Sequence, residues 1–409
     1  MLAEIFRFET RYHLKQLLFY VSVIIFFFLT FGAVTTDSVQ LGGSIGNVNR
    51  NAPYVIMQFL LVMSVFSVFT TTAFVSNAVL RDYDLGTDAL FFSSPIRKRD
   101  FLIGRFTGSV FVSILIYVGV VLGIMIGSFM PWLEKERIGA FRLMPYLFSL
   151  IVLIGPTVLL VGAIFFAVAA LTRSTTATYA TAVALLVGYL VVSNIAGNNL
   201  ENEKLASLFD PFALAPFELA TRYWTVHERN TQVLPMQGVF LWNRVIWVSV
   251  ALVIFGVTLN RFRFETGTRK SRKRKSAAPD DAVAPPFAVS PVALSAVAVR
   301  AAGGWFTQFF STMRLELVSV LKSIPFIVML VLGMANTIGG AAFADSIFDT
   351  KIYPVTAVMI RVIASTFLLF ALIIITFYAG EIVWRERQLK LNEVTDAMPV
   401  PTSAVWAGK

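Results

Sequence analysis

The chain has 409 residues, of which 57% are hydrophobic and only 14% charged, and its formal net charge is +10. Soluble domains carry about 25% charged residues, so this composition excludes an ordinary soluble domain and favours a membrane protein. The absence of cysteine excludes disulfides and thiolate ligands, and two histidines are too few for a histidine-rich metal site.

Residues 1–16 mix apolar side chains such as Phe6 and Tyr12 with charged ones such as Glu9 and Arg11. This pattern predicts an amphipathic helix lying in the membrane interface. A long apolar run follows without a small-residue cleavage site, which favours an uncleaved anchor over a signal peptide.

Eight segments are long and apolar enough to cross a bilayer, which takes about 20 residues for a typical hydrocarbon core. A spanning segment must satisfy its own backbone hydrogen bonds, so these segments are predicted helices and the fold class is an all-α polytopic membrane protein. The segments are residues 17–36, 54–79, 106–131, 145–171, 176–197, 241–260, 323–342 and 355–380.

Basic residues predict the orientation of these spans. They cluster before the first span, after the second and after the sixth, where residues 269–276 read RKSRKRKS. Lysine and arginine collect in cytoplasmic loops, so the N-terminus is predicted to be cytoplasmic. The clusters also indicate contact with anionic membrane lipid, and no nucleic-acid partner is expected.

Three glycines lie four residues apart on one face of the third span, at Gly119, Gly123 and Gly127. Small residues at this spacing allow two helices to approach closely. We predict that they are helix-packing residues, either within one unit or across a dimer.

Composition divides the chain into three parts. Residues 1–263 form a predicted six-span unit that begins with the interfacial helix. Residues 264–304 are basic and then rich in alanine and proline, which predicts a disordered linker. Residues 305–409 hold a second amphipathic segment and two further spans.

The third part repeats the start of the first. Residues 7–21 resemble residues 314–328, and residues 81–105 align with residues 385–409 without a gap. The fold expected is therefore one six-helix unit plus the first two transmembrane helices of a second unit. Because the second copy stops where the first enters its third span, we expect the sequence to be part of a longer chain.

One polar segment, residues 81–105, lies between the second and third spans. Gly86 permits a turn and Pro95 ends or begins a helix, so a short amphipathic helix is predicted between them at the membrane surface. Such a helix would either dock into a groove of a cytosolic partner or lie on lipid headgroups.

This segment resembles the loop after the second span in permease subunits of type 2 ATP-binding-cassette (ABC) exporters. In that family the loop forms a coupling helix that contacts the ATPase subunit, which implies a cytosolic ABC ATPase as partner. The family also implies a second permease unit, in the full-length chain or by dimerisation. The matching residues are Asp82, Gly86, Thr87, Leu90, Ser94, Pro95, Gly104 and Arg105.

The second copy of the segment departs from the family pattern, because Lys390 and Leu391 stand at the positions of Gly86 and Thr87. Its predicted contact with an ATPase is therefore weaker. The equivalent residues in this copy are Glu386, Pro399, Gly408 and Lys409.

A narrower resemblance lies in residues 210–247, which are similar to a bacterial group with two permease units in one chain. Members of that group are often joined to a C-terminal zinc aminopeptidase, and the resemblance implies the bacterial inner membrane. The matching residues are Asp210, Pro211, Phe212, Tyr223, Trp224, Thr225, Asn230, Pro235, Gly238, Asn243 and Arg244.

Neither a zinc-protease motif nor a phosphate-binding P-loop motif occurs in the sequence. His227 lacks a second histidine at metal-binding spacing, so it is interpreted as a loop residue. The chain is predicted not to be an enzyme and to hold no cofactor, with ATP and magnesium bound by a partner subunit.

These observations favour the membrane-spanning permease subunit of an ABC exporter. The main alternative is that the spans anchor a longer membrane-bound zinc aminopeptidase. An ion-coupled secondary transporter is disfavoured because the spans lack a set of intramembrane acidic residues.

Overall fold

The computed structural model describes residues 1–36, 47–87, 91, 96–197, 203–263, 304–342, 355–388 and 401–409. All regular secondary structure within these ranges is helical, and the described residues contain no β-strand. The chain forms two compact units, Met1–Gly267 and Thr268–Lys409. Most of the predicted linker, residues 264–303, lies outside the described residues.

The helices of the first unit begin with a short interfacial segment and continue through long apolar ones. In chain order they are α1 (Leu2–Leu14), α2 (Leu17–Thr35), α3 (Pro53–Val65), α4 (Ser67–Asp84), α5 (Lys98–Gly127), α6 (Met144–Phe148), α7 (Gly155–Thr172), α8 (Thr175–Gly197), α9 (Glu203–Leu208), α10 (Leu214–Thr221), α11 (Val226–Thr231) and α12 (Gly238–Arg261). A π-helical turn, Ser149–Ile154, joins α6 to α7, and a 3₁₀ turn covers Lys135–Arg137.

The second unit contains four described helices. They are α13 (Trp305–Leu321), α14 (Ile324–Ala342), α15 (Thr356–Gln388) and α16 (Thr402–Gly408).

Among the described residues, five helices are long and apolar enough to cross a membrane, or up to seven if each of two bent pairs is one span. This is compatible with the predicted multi-pass, all-α membrane protein. One bent pair is α3 with α4, which meet at 53°. The predicted second span, residues 54–79, is therefore broken near Phe66.

The break between α3 and α4 has a local cause. Ser64 Oγ donates to the carbonyl of Leu61 at 2.6 Å, one turn before the break, and Ser67 is the first residue of α4. Serine hydroxyls that bond to the preceding turn compete with the backbone ladder and bend helices.

Aromatic side chains pack three long helices of the first unit together. The ring of Phe106 on α5 stacks on Phe255 of α12 at 4.2 Å and meets Phe166 of α7 edge-on at 5.3 Å. Offset and edge-to-face contacts of this kind add to the burial of the rings themselves. They hold the packing between α5, α7 and α12.

The glycines predicted to pack helices face α2 of the same unit. A Cβ atom placed on Gly119 would lie 2.5 Å from the carbonyl oxygen of Val23, and one on Gly123 would lie 2.6 Å from that of Phe27. A Cβ on Gly127 would make ordinary contact with Val34, at 3.4 Å. Only glycine permits the approach of α2 to α5 at the first two positions.

The third long helix begins earlier than expected. The sequence places the start of the third span at residue 106, but α5 begins at Lys98, so Gly104 and Arg105 lie inside a helix rather than at the end of a loop. A charged first turn extends this helix beyond its apolar part, with Asp100 near its positive N-terminal end.

Helix ends meet at two opposite ends of the first unit. We call the end that holds α1 and the start of α5 the N-terminal end. There Lys98 Nζ donates to the carbonyl of Asn260, and Arg173 donates to that of Arg263, both at 3.3 Å.

At the opposite end of the first unit, two asparagine side chains connect separate segments by hydrogen bonds. Asn51 donates to the carbonyl of Gly139 and accepts from its N–H, both at 2.7 Å. Asn230 makes the same pair of bonds with the backbone at Asn47 and Asn49, at 3.0 and 2.8 Å. These bonds satisfy loop backbone groups that no helix satisfies.

Candidate functional site

The polar segment leaves the bundle through a glycine turn at the end of α4. Gly86 has a φ of +67°, in the left-handed region that favours glycine. The N–H of Thr87 donates to the carbonyl of Asp82 at 2.9 Å, and that of Gly86 donates to Tyr83 at 3.4 Å. These two bonds form a Schellman motif, which explains the Gly-Thr pair physically.

The middle of the segment lies outside the described residues. This applies to two of the predicted site residues, Leu90 and Pro95, and to the short helix predicted between Gly86 and Pro95. Phe91 is described and half-buried, and the guanidinium of Arg105 lies 5.6 Å from its ring centre.

The two flanks of the segment are joined by a buried ion pair. Arg105 Nη2 on α5 lies 2.6 Å from Asp82 Oδ2 on α4, and both side chains are almost fully buried. Arg105 also donates to the carbonyl of Ala78 and lies 4.4 Å from the ring of Phe101. The structure therefore brings two predicted residues, Asp82 and Arg105, into direct contact.

A second buried ion pair attaches the interfacial helix α1 to the same place. Arg81 donates to Glu9 through both terminal nitrogens, at 3.2 and 3.0 Å. His13 Nε2 lies 2.9 Å from the same carboxylate, one helical turn along α1. Glu9 and His13 are fully buried, and Arg81 is 7% exposed.

Aromatic rings on α1 complete the surroundings of Arg81. Its guanidinium lies 3.9 Å from the ring centre of Tyr12 and 5.7 Å from that of Phe8. A cation over a ring face is attracted by the ring quadrupole, most strongly where water is excluded. We call Glu9, His13, Arg81, Asp82 and Arg105 the charge network.

The carboxylate of Glu9 stays ionised inside this network. Burial alone would raise the pKa of Glu9, but the hydrogen bond from His13 and the charges of Arg105 and Arg81 outweigh burial and lower the pKa below its usual range. The Glu9 carboxylate therefore has a structural role as the negative partner of these buried cationic side chains.

Close packing between α1 and α5 brings Glu9 within reach of Arg81. A Cβ on Gly104 would lie 2.8 Å from Ile5 Cβ, and one on Gly108 would lie 2.9 Å from Glu9 Cβ. Gly104, predicted as part of the polar loop, is therefore a packing residue between α5 and α1. The glycine that contacts Glu9 itself is Gly108, one turn further along α5.

Glu9, His13 and Arg81 are site residues that the sequence analysis had not predicted. One signal was present, because the repeat aligns Glu9 with Glu316 and Arg81 with Arg385. The i,i+4 spacing of Glu9 and His13 on one helical face was a second signal.

The second unit contains the same helix contact. A Cβ on Gly408 of α16 would lie 2.9 Å from Thr312 Cβ and 3.0 Å from the carbonyl oxygen of Phe309 on α13. Gly104 makes the matching contacts with Ile5 and with the carbonyl of Leu2. The repeat alignment pairs Ile5 with Thr312 and Leu2 with Phe309.

Helix boundaries also coincide under the repeat alignment. Leu14 and Leu321 end α1 and α13, Leu17 and Ile324 begin α2 and α14, and Lys98 and Thr402 begin α5 and α16. Glu316, the counterpart of Glu9, is buried. Of the remaining second-copy residues, Lys409 is half-buried, Glu386 lies in α15, and Pro399 lies outside the described residues.

Residues 210–247, the segment with the narrower predicted resemblance, contain a second structured region at the opposite end of the first unit. The Asp210 carboxylate accepts the N–H groups of Phe212 and Ala215 at 2.9 and 2.7 Å. Asn243 donates to the carbonyls of Ser207 and Asp210, both at 2.8 Å. The motif residues therefore shape the turn that precedes α10.

Arg244 completes this turn from α12. It donates to Asn243 Oδ1 at 2.7 Å and to Thr157 Oγ1 at 3.3 Å. Burial raises the pKa of Asp210 in spite of the backbone N–H groups and the charge of Arg244.

His227 lies in the short helix α11 and not in a loop, which corrects the sequence interpretation. Thr225 caps this helix, because its N–H donates to Glu228 Oε2 at 2.7 Å while its hydroxyl accepts from the Glu228 N–H. Within the described residues no group of three or more acidic, histidine or cysteine side chains could hold a metal.

Neither a protein-family model nor a curated protein sequence matches this chain.

Proposed function

We propose that the chain is the membrane-spanning permease subunit of an ABC exporter in a bacterial inner membrane. A separate cytosolic subunit binds ATP and magnesium and supplies the energy. In this proposal the first unit crosses the membrane six times, with α3 and α4 as one bent span, and the second unit contributes two spans. The N-terminus and the N-terminal end of the first unit are cytoplasmic.

The charge network is the observation that supports this function. Buried ion pairs stabilise a fold poorly, because the cost of removing charges from water offsets much of their attraction. Stability alone therefore does not explain why five titratable groups are buried at the base of the polar segment. A role in fixing that base to helices α1, α4 and α5 does explain it.

The network makes the flanks of the polar segment one rigid body. Asp82 and Arg105 tie α4 to α5, and Arg81 ties α4 to α1 through Glu9. A partner that pushed on the segment would therefore move these helices together. Rigid-body motion of packed helices is a common way in which a local push becomes a global change.

The proposal is tested by co-expressing the chain with cytosolic ABC ATPase subunits of the same bacterium and measuring both copurification and ATP turnover. Gly86→Val should reduce both, because a β-branched residue does not adopt the left-handed conformation at this turn. Gly86→Asn is the matched control, since asparagine tolerates that conformation, and it should keep most of both signals.

Failure of the ATPase to associate with the unchanged chain would contradict the proposal. So would equal ATP turnover for Gly86→Val and the unchanged protein when both are folded to the same extent.

A further inference from the structure

A large cavity lies in the first unit, away from the charge network. Its volume is about 800 Å³, and its walls come from α3, α7, α8 and α12, with α9 and α10 at its polar part. Small-molecule sites occupy roughly 300–1,000 Å³. None of the five network residues lines this cavity.

Aliphatic side chains line the part of the cavity between α7 and α8. Leu160, Val161 and Ile164 come from α7, and Leu185 and Val192 from α8. Both helices are long and apolar enough to span a membrane. An apolar body of a ligand would be buried here, and removing apolar surface from water favours binding.

Acidic side chains are the most numerous charged groups in the polar part of the cavity lining. Glu203, Asp210 and Glu218 line it together with one basic residue, Arg222. Arg222 donates to Glu203 at 3.0 Å, so these two charges neutralise each other. The Asp210 carboxylate already accepts two backbone N–H groups.

Glu218 is the carboxylate that remains open to a ligand. It is exposed to the cavity and forms no hydrogen bond or ion pair with the residues that the structure describes. Partial desolvation by the cavity walls, and then the neighbouring charge of Asp210, raise the pKa of Glu218. A positive charge beside Glu218 would relieve both effects.

Aromatic rings line the same cavity, from Tyr189 on α8, Phe209 after α9 and Trp247 on α12. Faces of such rings attract cations, with the greatest effect for tryptophan. A carboxylate, aromatic rings and an aliphatic wall together favour a ligand that is positive at one point and apolar elsewhere. They disfavour an anion of the same shape.

We propose that this cavity binds a cationic amphiphile, a molecule with one onium-type positive charge and an apolar or aryl body of small-molecule size. The charge lies beside Glu218 and the apolar body lies between α7 and α8. The site belongs to the first unit alone, so it does not depend on whether an ATPase binds at the N-terminal end.

The test measures binding of radiolabelled tetraphenylphosphonium to the chain in nanodiscs of zwitterionic lipid. Binding should be saturable at one site, and Glu218→Gln should weaken it about tenfold, the effect of one lost charge contact. Glu134→Gln removes an exposed charge that does not line the cavity, and it should bind like the unchanged protein.

A second variant fills the cavity directly. No heavy atom lies within 4 Å of a Cβ placed on Gly188, which lines the cavity, so Gly188→Phe adds volume to open space. It should abolish saturable binding. Gly256→Phe is the matched control, because Gly256 also has open space around it and does not line the cavity.

Tetraphenylborate, an anion of nearly the same shape, should compete at least tenfold more weakly than unlabelled tetraphenylphosphonium. Equal competition by the two ions would overturn the proposal, since the cavity would then select for apolarity alone. Partitioning without saturation, or unchanged binding in both Glu218→Gln and Gly188→Phe, would overturn it as well.

Discussion

The contact of α1 with α5 in the first unit and the contact of α13 with α16 in the second are two versions of one arrangement. In each, a glycine of one helix, Gly104 or Gly408, touches the backbone of the other. Each also buries a glutamate at the same repeat position, Glu9 or Glu316. The shared elements are those that set the distance between two helices.

The differences lie in the groups around that contact. His13 and Tyr12, which contact Glu9 and Arg81, are replaced in the second unit by Val320 and Ser319. The Gly-Thr pair that forms the Schellman turn is replaced by lysine and leucine. Helix packing is therefore common to both units, whereas the residue types beside the buried glutamate and at the start of the polar segment differ between them.

Arg81→Met should have the largest effect on this comparison. The substitution leaves the buried Glu9 without its two-bond partner, and breaking a buried pair costs about 3–5 kcal/mol. We expect a clear fall in the unfolding temperature of the purified chain. Arg99→Met, at an exposed position in the first turn of α5, should change stability by less than about 0.5 kcal/mol.

A double variant isolates the interaction itself. Adding Glu9→Leu to Arg81→Met removes both charges, and it should recover much of the stability that the single variant loses. If the stability lost by the double variant equals the sum of the losses of Glu9→Leu and Arg81→Met, the two side chains are not coupled.

Gly104→Val and Gly408→Val test the shared part of the arrangement. In each variant the new Cβ atom would lie less than 3 Å from an atom of the facing helix. Overpacking of this kind lowers the free energy of unfolding by about 1–3 kcal/mol. Gly104→Val should cost more, because it also displaces Glu9 from Arg81. Thermal unfolding of both variants beside Gly256→Val, which has open space, checks this order.

The proposed functional difference between the two segments is tested by exchanging their residues. Gly86→Lys with Thr87→Leu gives the first unit the turn residues of the second, and a lysine in the left-handed region costs about 1–2 kcal/mol. If the proposed ATPase partner binds this segment, its ATP turnover should fall severalfold. Lys390→Ala with Leu391→Ala should leave it unchanged, and an equal fall in both variants would remove the proposed inequality of the two segments.

Periodicity and composition predicted where most of the long helices lie, because a segment that crosses a bilayer needs a long apolar run. Eight spans were predicted, whereas five helices of the described residues, or up to seven with the two bent pairs, are long and apolar enough to be spans. The predicted span 17–36 corresponds to Leu17–Thr35, and 241–260 corresponds to Gly238–Arg261. The start of α5 was placed too late, since hydropathy detects where apolar residues begin and α5 has a charged first turn. The bend at Phe66 was missed because only serines mark it.

The candidate site was only partly predictable from the sequence. Asp82, Gly86 and Arg105 were found through a local pattern in one segment. Glu9 and His13 lie more than 60 residues earlier, and only the packing of α1 on α5 brings them to Arg81. A charged residue in an amphipathic helix ordinarily faces water, so its burial depends on tertiary contacts that no local pattern contains.

The smallest expected effect is the dependence of stability on pH at Glu9. Its pKa is lowered in the folded chain, so its stabilising contribution is complete above the unfolded pKa, about 4.3, and is lost as pH falls through the folded pKa. The groups that face this carboxylate are His13, Arg81, Arg105, Asp82 and Tyr12.

Unfolding temperatures between roughly pH 5 and pH 3 measure this contribution. Glu9→Gln should lose less stability over that interval than the unchanged chain, since the glutamine has no charge to lose. Glu4→Gln on the same helix, at an exposed position, should follow the unchanged chain. A pH profile for Glu9→Gln that parallels the unchanged chain would mean that other carboxylates account for the acid sensitivity. The first unit would then not rely on the ionised form of Glu9.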